Sequence, residues 1–149
     1  ERWKGKPPGT HGMQPRVLHL LRQLNLEPEQ IPASNVVFVR SAREADISAH
    51  FHQLAQLCWP FHKSVIEHLD VRAVLCFGKR SGEWVCKQLN AKKHIDQFVE
   101  NNNRHWTSAS FMAPNGVKVV VATHPSTADW TTPATDPSPM VRRILADAR

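Results

Sequence analysis

Cysteine is scarce in this chain, and its arrangement excludes several classes of protein. The 149 residues include three cysteines, Cys58, Cys76 and Cys86, and no two of them have the CxxC spacing. An odd number of cysteines without that spacing argues against a disulfide framework or a zinc site and favours a reducing compartment. We therefore expect a cytoplasmic protein.

Long apolar runs and nucleotide-binding motifs are also missing. No run approaches the ~18 apolar residues of a membrane span, and no signal peptide opens the chain, so we expect no membrane association. Neither a Gly-x-Gly-x-x-Gly fingerprint nor a P-loop occurs, and no Gly-x-Ser-x-Gly elbow is present. Because the first residue is Glu1 and not Met, we expect that a further piece of chain precedes it.

The nine histidines do not have the spacing of a metal site. His50 and His52 share one face only if their segment is extended, and His62 and His68 are poorly spaced for pairing on a helix. We therefore expect no metal ion and no other cofactor.

Positive charge is what the chain has in excess. Lys and Arg number 19 against 13 Asp and Glu, which gives a net charge of +6. The basic residues near the start are Arg2, Lys4, Lys6, Arg16 and Arg22. A basic surface attracts polyanions, so DNA is the expected partner, although a soluble protein that is merely basic has the same composition.

The pattern of apolar residues predicts one α/β domain over residues 1–149, and we expect a monomer. Helices are predicted at 14–24, 42–58, after Pro60, at 79–89 and 139–148, with a weaker one at 92–99; buried strands are predicted at 35–41 and 71–78. Pro114-Asn115-Gly116 between two apolar runs predicts a hairpin. Uninterrupted apolar strands separated by helices indicate a short, mainly parallel sheet covered on both faces.

Residues suited to binding or catalysis lie where these strands end. The second strand is followed by Gly78 and Lys79, and the run that ends the hairpin is followed by His124, Pro125 and Ser126. Ligands bind beyond the carboxyl ends of the strands in parallel sheets. We therefore expect one rim that carries a glycine, a lysine, a histidine and a serine.

Four stretches resemble the uracil-DNA glycosylase superfamily, most closely its thermophile-type branch. They are "GKPPGTHGMQPRVLHLLRQLNL", "SNVVFVRS", "CWPFHKSVIEHLDVRAVLCFGKRSGEWV" and "THPSTADW". The first is similar to that branch's Gly-Arg-Pro-Phe-Val-Gly segment and the helix after it, and the second to its Thr-Asn-Val-Val strand. The third is similar to its Cys-x-Pro-Tyr helix, the following strand and Leu-Gly-x-x-Ala. The fourth is similar to its His-Pro-Ser loop. Order and spacing match over nearly the whole chain, which implies a three-layer α/β/α sandwich.

The resemblance also implies an activity and assigns roles. These enzymes extrude a base from the duplex and cut its bond to the sugar. His124 would donate a hydrogen bond to the departing uracil anion, as the catalytic residue, and Asn35 would read the base edge. Gly78, Lys79 and Ser126 would contact DNA, Ser126 by holding a phosphate, and Trp130 would wedge the base stack open. Trp130 at the core edge is the competing structural interpretation.

The chain departs from the family in three places. Pro8 stands at the base-binding position where the family has a phenylalanine that stacks on uracil. Only Cys58 matches a ligand of the branch's iron–sulfur cluster, since Val39 occupies a neighbouring ligand position. The water-positioning first motif, whose strand is central in the family's sheet, would lie before Glu1. Either the protein is longer than this sequence, or strands 35–40 and 71–77 pair directly unless residues 1–8, a poor central strand, fill the gap.

These departures leave three functions open. The favoured one is hydrolysis of the bond between the sugar and uracil or another deaminated base in DNA. The second is a non-catalytic nucleic-acid-binding module that retains the glycosylase fold. The third is an unrelated small-molecule hydrolase built on the same kind of sheet.

Overall fold

The computed structural model of the protein describes residues 5–41 and 43–146. Its helices are α1 (Gln14–Gln23), α2 (Glu44–Ile47), α3 (Phe51–His68), α4 (Lys79–Leu89) and α5 (Ser138–Ala146). Its strands are β1 (Ala73–Phe77), β2 (Lys93–Val99), β3 (Thr107–Met112) and β4 (Lys118–Ala122). No helix in these described ranges is long and apolar enough to cross a membrane.

The chain divides into two compact units. The first unit is formed by Glu1–Ile31 together with Arg72–Arg149, and the second by Pro32–Val71. The first unit contains the whole sheet with α1, α4 and α5, and the second contains α2 and α3. A single domain over 1–149 stays a prediction.

The first unit is a mixed α/β structure with a four-stranded sheet in the order β1-β4-β3-β2. Strand β1 pairs with β4 in parallel, whereas the β4–β3 and β3–β2 pairs are antiparallel. The prediction of a mainly parallel sheet is therefore wrong. The reason is that hairpin strands must run antiparallel, and β2 adds a second antiparallel pair at the far side of the hairpin.

The predicted hairpin around Pro114-Asn115-Gly116 is confirmed. Strands β3 and β4 pair with Met112 opposite Lys118 and Ala109 opposite Val121. Gly116 has a φ of +86°, a conformation that glycine adopts without steric cost, and its N–H donates to the carbonyl of Ala113 at 3.0 Å. The turn therefore delivers the chain into β4, whose end carries His124.

Residues 93–99 form strand β2, so the helix predicted at 92–99 is wrong. A bulge between His94 and Asp96 shifts the register of β2 against β3. An extra residue in a strand breaks the strict alternation of side chains. Ile95 and Phe98 consequently pack against the same apolar core although they are three positions apart, which is the spacing expected of a helix.

The core of the first unit lies against α5. Its buried members come from α1, β4, the following loop and α5: Leu20, Val120, Ala122, Ala128, Trp130, Met140, Val141 and Ile144. The positions of Met140, Val141 and Ile144 place an apolar stripe along one side of α5. The buried Lys118 closes the end of this helix by donating from Nζ to the carbonyl of Ile144 at 2.7 Å.

Helix α4 approaches β4 unusually closely, and a glycine makes this possible. A Cβ atom placed on Gly82 would lie 2.3 Å from Cγ1 of Val121, far inside van der Waals contact. Val121 contacts α4, whereas its neighbours Val120 and Ala122 belong to the core cluster with α5. Successive side chains of a strand point to opposite sides, so the two helices contact alternate residues of β4.

The second unit contradicts two sequence-based predictions. Residues 35–41 form no regular strand, and Phe38 and Val39 remain 50% and 49% exposed. Of the two alternatives for this region, direct pairing of strands 35–40 and 71–77 is therefore not found among the described residues, and β1 pairs with β4. Helix α3 also continues through Pro60, where a break between two helices was predicted.

The two ends of the chain are described only in part. Residues 5–8 form no strand, in agreement with their predicted unsuitability, and residues 1–4 lie outside the described part of the chain. The predicted C-terminal helix is present as α5 up to Ala146, and its last predicted positions also lie outside the described residues.

Candidate functional site

Two strand ends meet at one edge of the sheet. Because β1 and β4 are parallel neighbours, Phe77 lies opposite Ala122 in the register. The N–H of Gly78 donates to the carbonyl of Ala122 at 2.8 Å. Gly78 and the segment that carries His124 are thus brought together, as expected for the carboxyl ends of parallel strands.

The backbone of His124 is fixed by the turn that follows it. Its carbonyl accepts hydrogen bonds from the N–H of Thr127 at 2.9 Å and of Ala128 at 3.0 Å, and from the Thr127 hydroxyl at 2.9 Å. Pro125 is fully buried, and its carbonyl accepts a hydrogen bond from Nη1 of Arg16 on α1. Helix α1 therefore braces the turn from outside the sheet.

The imidazole of His124 has a defined tautomer when neutral. The backbone N–H of Ser126 donates to Nδ1 at 3.1 Å, and the Ser126 hydroxyl lies 2.7 Å from the same atom. A backbone N–H can only donate, so Nδ1 must be the unprotonated acceptor. The proton of the neutral ring is consequently on Nε2, which makes Nε2–H a hydrogen-bond donor.

The ring of His124 also has close neighbours on the β1 side. Phe77 meets it edge to face with 6.4 Å between ring centroids. Gly78 has a φ of +91°, and a Cβ added there would be 3.4 Å from Cδ2 of His124. A side chain at position 78 would be in ordinary contact with the ring but would be strained by the positive φ, which is the reason that glycine fits this place.

A pocket of about 830 Å³ opens beside His124. Its walls come from α4, β3, β4 and the connecting loops. The charged and aromatic groups suited to binding are Lys79, Glu83, Lys92, Trp106 and His124. Apolar side chains of β3 and β4 contribute to the remaining lining, together with small and hydroxyl-bearing residues. A volume of this size, mostly apolar with a few polar groups, is typical of a small-molecule or base site.

Lys79 and Glu83 lie on the first turns of α4, where they form an exposed ion pair. Lys79 Nζ is 3.7 Å from Glu83 Oε1, and the Lys79 side chain is 84% exposed. Such a pair contributes little to stability, so the ammonium group can turn toward an anionic ligand at little cost. Lys79 thus occupies the position that the sequence assigned to it, at the rim beside Gly78.

The cysteines near the pocket are not activated. Burial raises the pKa of the Cys76 thiol to about 12, with a smaller contribution from nearby Cys86. Burial also raises the pKa of Cys86, which lines the pocket, and the charge of Glu83 adds to the effect. Thiolates are the nucleophilic form, so neither cysteine is suited to nucleophilic catalysis at neutral pH.

Trp130 is a core residue, which corrects its predicted role as a wedge in DNA. Its side chain is 0% exposed and meets Phe77 edge to face at 5.3 Å. A wedge must present its ring to the base stack, and a fully buried ring cannot do so. The loop after His124 turns inward because the ring of Trp130 fills the core beside α5.

The other predicted residues lie in different surroundings. Ser126 is exposed and holds His124, while Pro8 is exposed in the loop before α1. Asn35 is exposed in the second unit. The described structure therefore brings together His124, Ser126, Gly78 and Lys79.

Three residues that sequence reasoning missed complete the site. Arg16 contacts Pro125 and Asp129, its Nε lying 3.5 Å from Asp129 Oδ1. Hydrogen bonds from Thr131 and the nearby Arg16 lower the pKa of Asp129, so this carboxylate stays charged. The other two, Arg104 and Trp106, lie in the β2–β3 connection, and nothing local in "NNNRHWTS" indicates that it reaches the end of β4.

Comparison of the chain with protein-family models, curated proteins and solved structures gives no match in any of the three. What the pocket can bind is therefore inferred from its own residues. It offers a fixed N–H donor, two lysines and an exposed indole ring around an apolar floor. This combination suits a planar, partly anionic ligand such as a nucleobase attached to a phosphate backbone.

Proposed function

We propose that the protein is a DNA glycosylase-like hydrolase that cleaves the bond between the sugar and uracil or another deaminated base in DNA. Its fold would be a three-layer α/β/α sandwich similar to that of the uracil-DNA glycosylases. The contact of α4 and α5 with alternate residues of β4 supports such an arrangement. The observation that carries the proposal is the Nε2–H donor of His124 at the rim of a base-sized pocket.

The chemistry requires a donor of this kind. The bond between C1′ and the base nitrogen breaks with its electron pair leaving on the base, while a water oxygen bonds to C1′ and loses a proton. Negative charge grows on the base oxygens as the bond breaks. A neutral imidazole that donates from Nε2 stabilises this charge, and one such preorganised donor contributes about 3 kcal/mol.

The held ring of His124 makes the donation efficient. Two donors of Ser126 hold Nδ1, and the ring lies against Phe77 and Gly78 at the end of β1. The ring therefore need not reorient as the charge develops, which is the condition for a large electrostatic contribution. Lys79 and Lys92, which also line the pocket, provide the charge that attracts the DNA phosphates.

A second candidate is a nucleic-acid-binding module without catalytic activity. Of the described residues that line the pocket, Glu83 alone carries a carboxylate, and it forms an ion pair with Lys79. A hydrolase needs a group that orients or deprotonates the attacking water, and a module that only binds does not. Because Glu83 is paired with Lys79, this observation favours the second candidate.

The test is an assay of abasic-site formation with labelled oligonucleotides that carry uracil, hypoxanthine or xanthine. We expect His124→Ala to lower the single-turnover rate about 100-fold or more while DNA affinity stays nearly unchanged. His68→Ala, which removes an exposed histidine of α3, is the matched control and should have no effect. Binding without cleavage of any of the three bases would leave only the binding module. Cleavage at an unchanged rate in His124→Ala would refute the role of the histidine.

A further inference from the structure

The indole of Trp106 is an exposed aromatic surface at the pocket that the chemistry of His124 does not use. It is 43% exposed, whereas Trp84 and Trp130 in the same unit are buried. Trp106 lies just before β3 and shares the pocket with His124 and Thr127. A large aromatic ring left open in this way costs hydration free energy, so its position needs a reason.

One face of the Trp106 ring is covered by a cation. The guanidinium carbon of Arg104 lies 4.2 Å from the ring centroid. A guanidinium stacked at this distance holds the ring in place by cation–π attraction. The ring is nevertheless 43% exposed and belongs to the lining of the pocket.

Arg104 itself is fixed from two directions. Its Nη1 donates to the carbonyl of Thr127 at 2.9 Å, and its Nη2 lies 3.2 Å from Oε2 of Glu100. Glu100 is 1% exposed, and Asn102 donates to the same carboxylate oxygen at 2.8 Å. Oε2 of this buried carboxylate accepts from both side chains, whereas its Oε1 has no hydrogen-bond partner in the described structure. The charge-assisted bond positions Arg104, and the bond to Thr127 connects it to the turn that holds His124.

We propose that Trp106, backed by Arg104, is the surface on which an unpaired base of a nucleic acid stacks in this pocket. The inference rests on the proposed function, because it takes the pocket to be the place where the base is bound. Base–aromatic stacking tolerates every base, since each has a π face. The ring would thus supply the aromatic surface that Pro8 does not provide, and it would do so without selecting one base.

The experiment compares the binding of two single-stranded oligonucleotides to the full chain. One is an oligothymidylate, and the other has the same phosphates but carries tetrahydrofuran abasic residues throughout. We expect Trp106→Leu to weaken binding of the first by about 10- to 100-fold and to leave binding of the second unchanged. Trp106→Phe keeps an aromatic face and should bind the first oligonucleotide within about 3-fold of the wild type.

Two results would overturn the proposal. One is unchanged affinity of Trp106→Leu for oligothymidylate; the other is an equal loss for both oligonucleotides, which would indicate a general disturbance of the surface. Circular dichroism and the unchanged binding of the abasic oligonucleotide show that a variant is folded. Stacking is measured here without any cleavage, so a protein that excises no base but shows this difference loses the hydrolase proposal and keeps this one.

Discussion

The close approach of α4 to β4 positions the site. The substitution Gly82→Ala tests this contact, because the contact decides whether the free energy of unfolding falls or rises. In the middle of an exposed helix this substitution stabilises by about 1 kcal/mol, because alanine has the higher helix propensity. Here the new Cβ would lie 2.3 Å from Cγ1 and 2.6 Å from Cγ2 of Val121. Carbon atoms attract at about 3.5–4.0 Å, so the helix or the strand must shift.

Overpacking of this kind costs about 1–3 kcal/mol, and so deep an overlap belongs at the upper end. After subtraction of the propensity gain, we expect Gly82→Ala to lower the free energy of unfolding by about 2 kcal/mol. The assay is urea denaturation followed by intrinsic fluorescence, since Trp84 and Trp130 are buried in this unit. The slope of the transition should remain that of the wild type.

A double-mutant cycle identifies the cause. Val121→Ala removes both Cγ atoms and leaves Cβ, which is 2.8 Å from the added methyl carbon, as the nearest atom of that side chain. We therefore expect Gly82→Ala to cost at least about 1 kcal/mol less in this background. An increase in stability by Gly82→Ala in the otherwise unchanged chain, or strict additivity in the cycle, would refute the close contact.

Two further predictions concern hydrogen bonds. Long-range ¹H–¹⁵N spectra should report the Nε2–H tautomer for neutral His124. The variant Ser126→Ala should keep that tautomer as the major form, because the backbone N–H of residue 126 still donates to Nδ1. A dominant Nδ1–H form in the wild type would contradict the geometry of the site. The hydrogen bond from Arg143 is the largest cause that lowers the pKa of Asp96 in the folded state. A carboxyl group whose pKa is lower in the folded state stabilises that state above its unfolded pKa of about 3.9. This contribution to stability is lost as the pH falls through the folded pKa. In urea titrations the difference in stability between the wild type and Arg143→Gln should thus be largest above about pH 5 and should shrink below about pH 4. A difference that does not depend on pH would contradict this role of Arg143.

Local patterns were sufficient where the structure is locally determined. The turn at Asn115-Gly116 predicts the β3–β4 hairpin because its backbone conformation favours glycine. The apolar spacing of α1 and α4 predicts both helices for the same kind of reason. The place of His124 just beyond a strand end follows from these elements, so this part of the site could be predicted.

Non-local pairing decided the remaining elements. Residues 36–39 have high strand propensity, but a strand also needs a neighbouring strand to pair with, and these residues form no strand in the described structure. In β2 the bulge gives a strand the apolar spacing of a helix. For Trp130 the sequence leaves a wedge in DNA and a residue of the core edge both open, because it does not reveal that the ring packs in one core cluster with α5.

Helix α3 continues past a residue that predicts a local break. Pro60 cannot donate a backbone hydrogen bond, so it predicts an interruption. Phe51, Ala55 and Trp59 are nevertheless all buried, at a spacing of four residues that places them along one side of the helix. Packing of that stripe stabilises the helix up to the proline, and the chain then continues in the same direction.

Hydrolysis and binding make different demands on the pocket, and their magnitudes can be compared. Enzymes accelerate reactions by at least about 10⁶-fold, which corresponds to about 8 kcal/mol. A single donor such as His124 contributes about 3–4 kcal/mol, so at least half of the effect must come from other groups. The proposed stacking on Trp106 and attraction by Lys79 and Lys92 need no such addition. If both proposals hold, binding of a base would need only described residues, whereas hydrolysis at an enzymic rate would also require a residue that orients water, such as Glu83 released from Lys79.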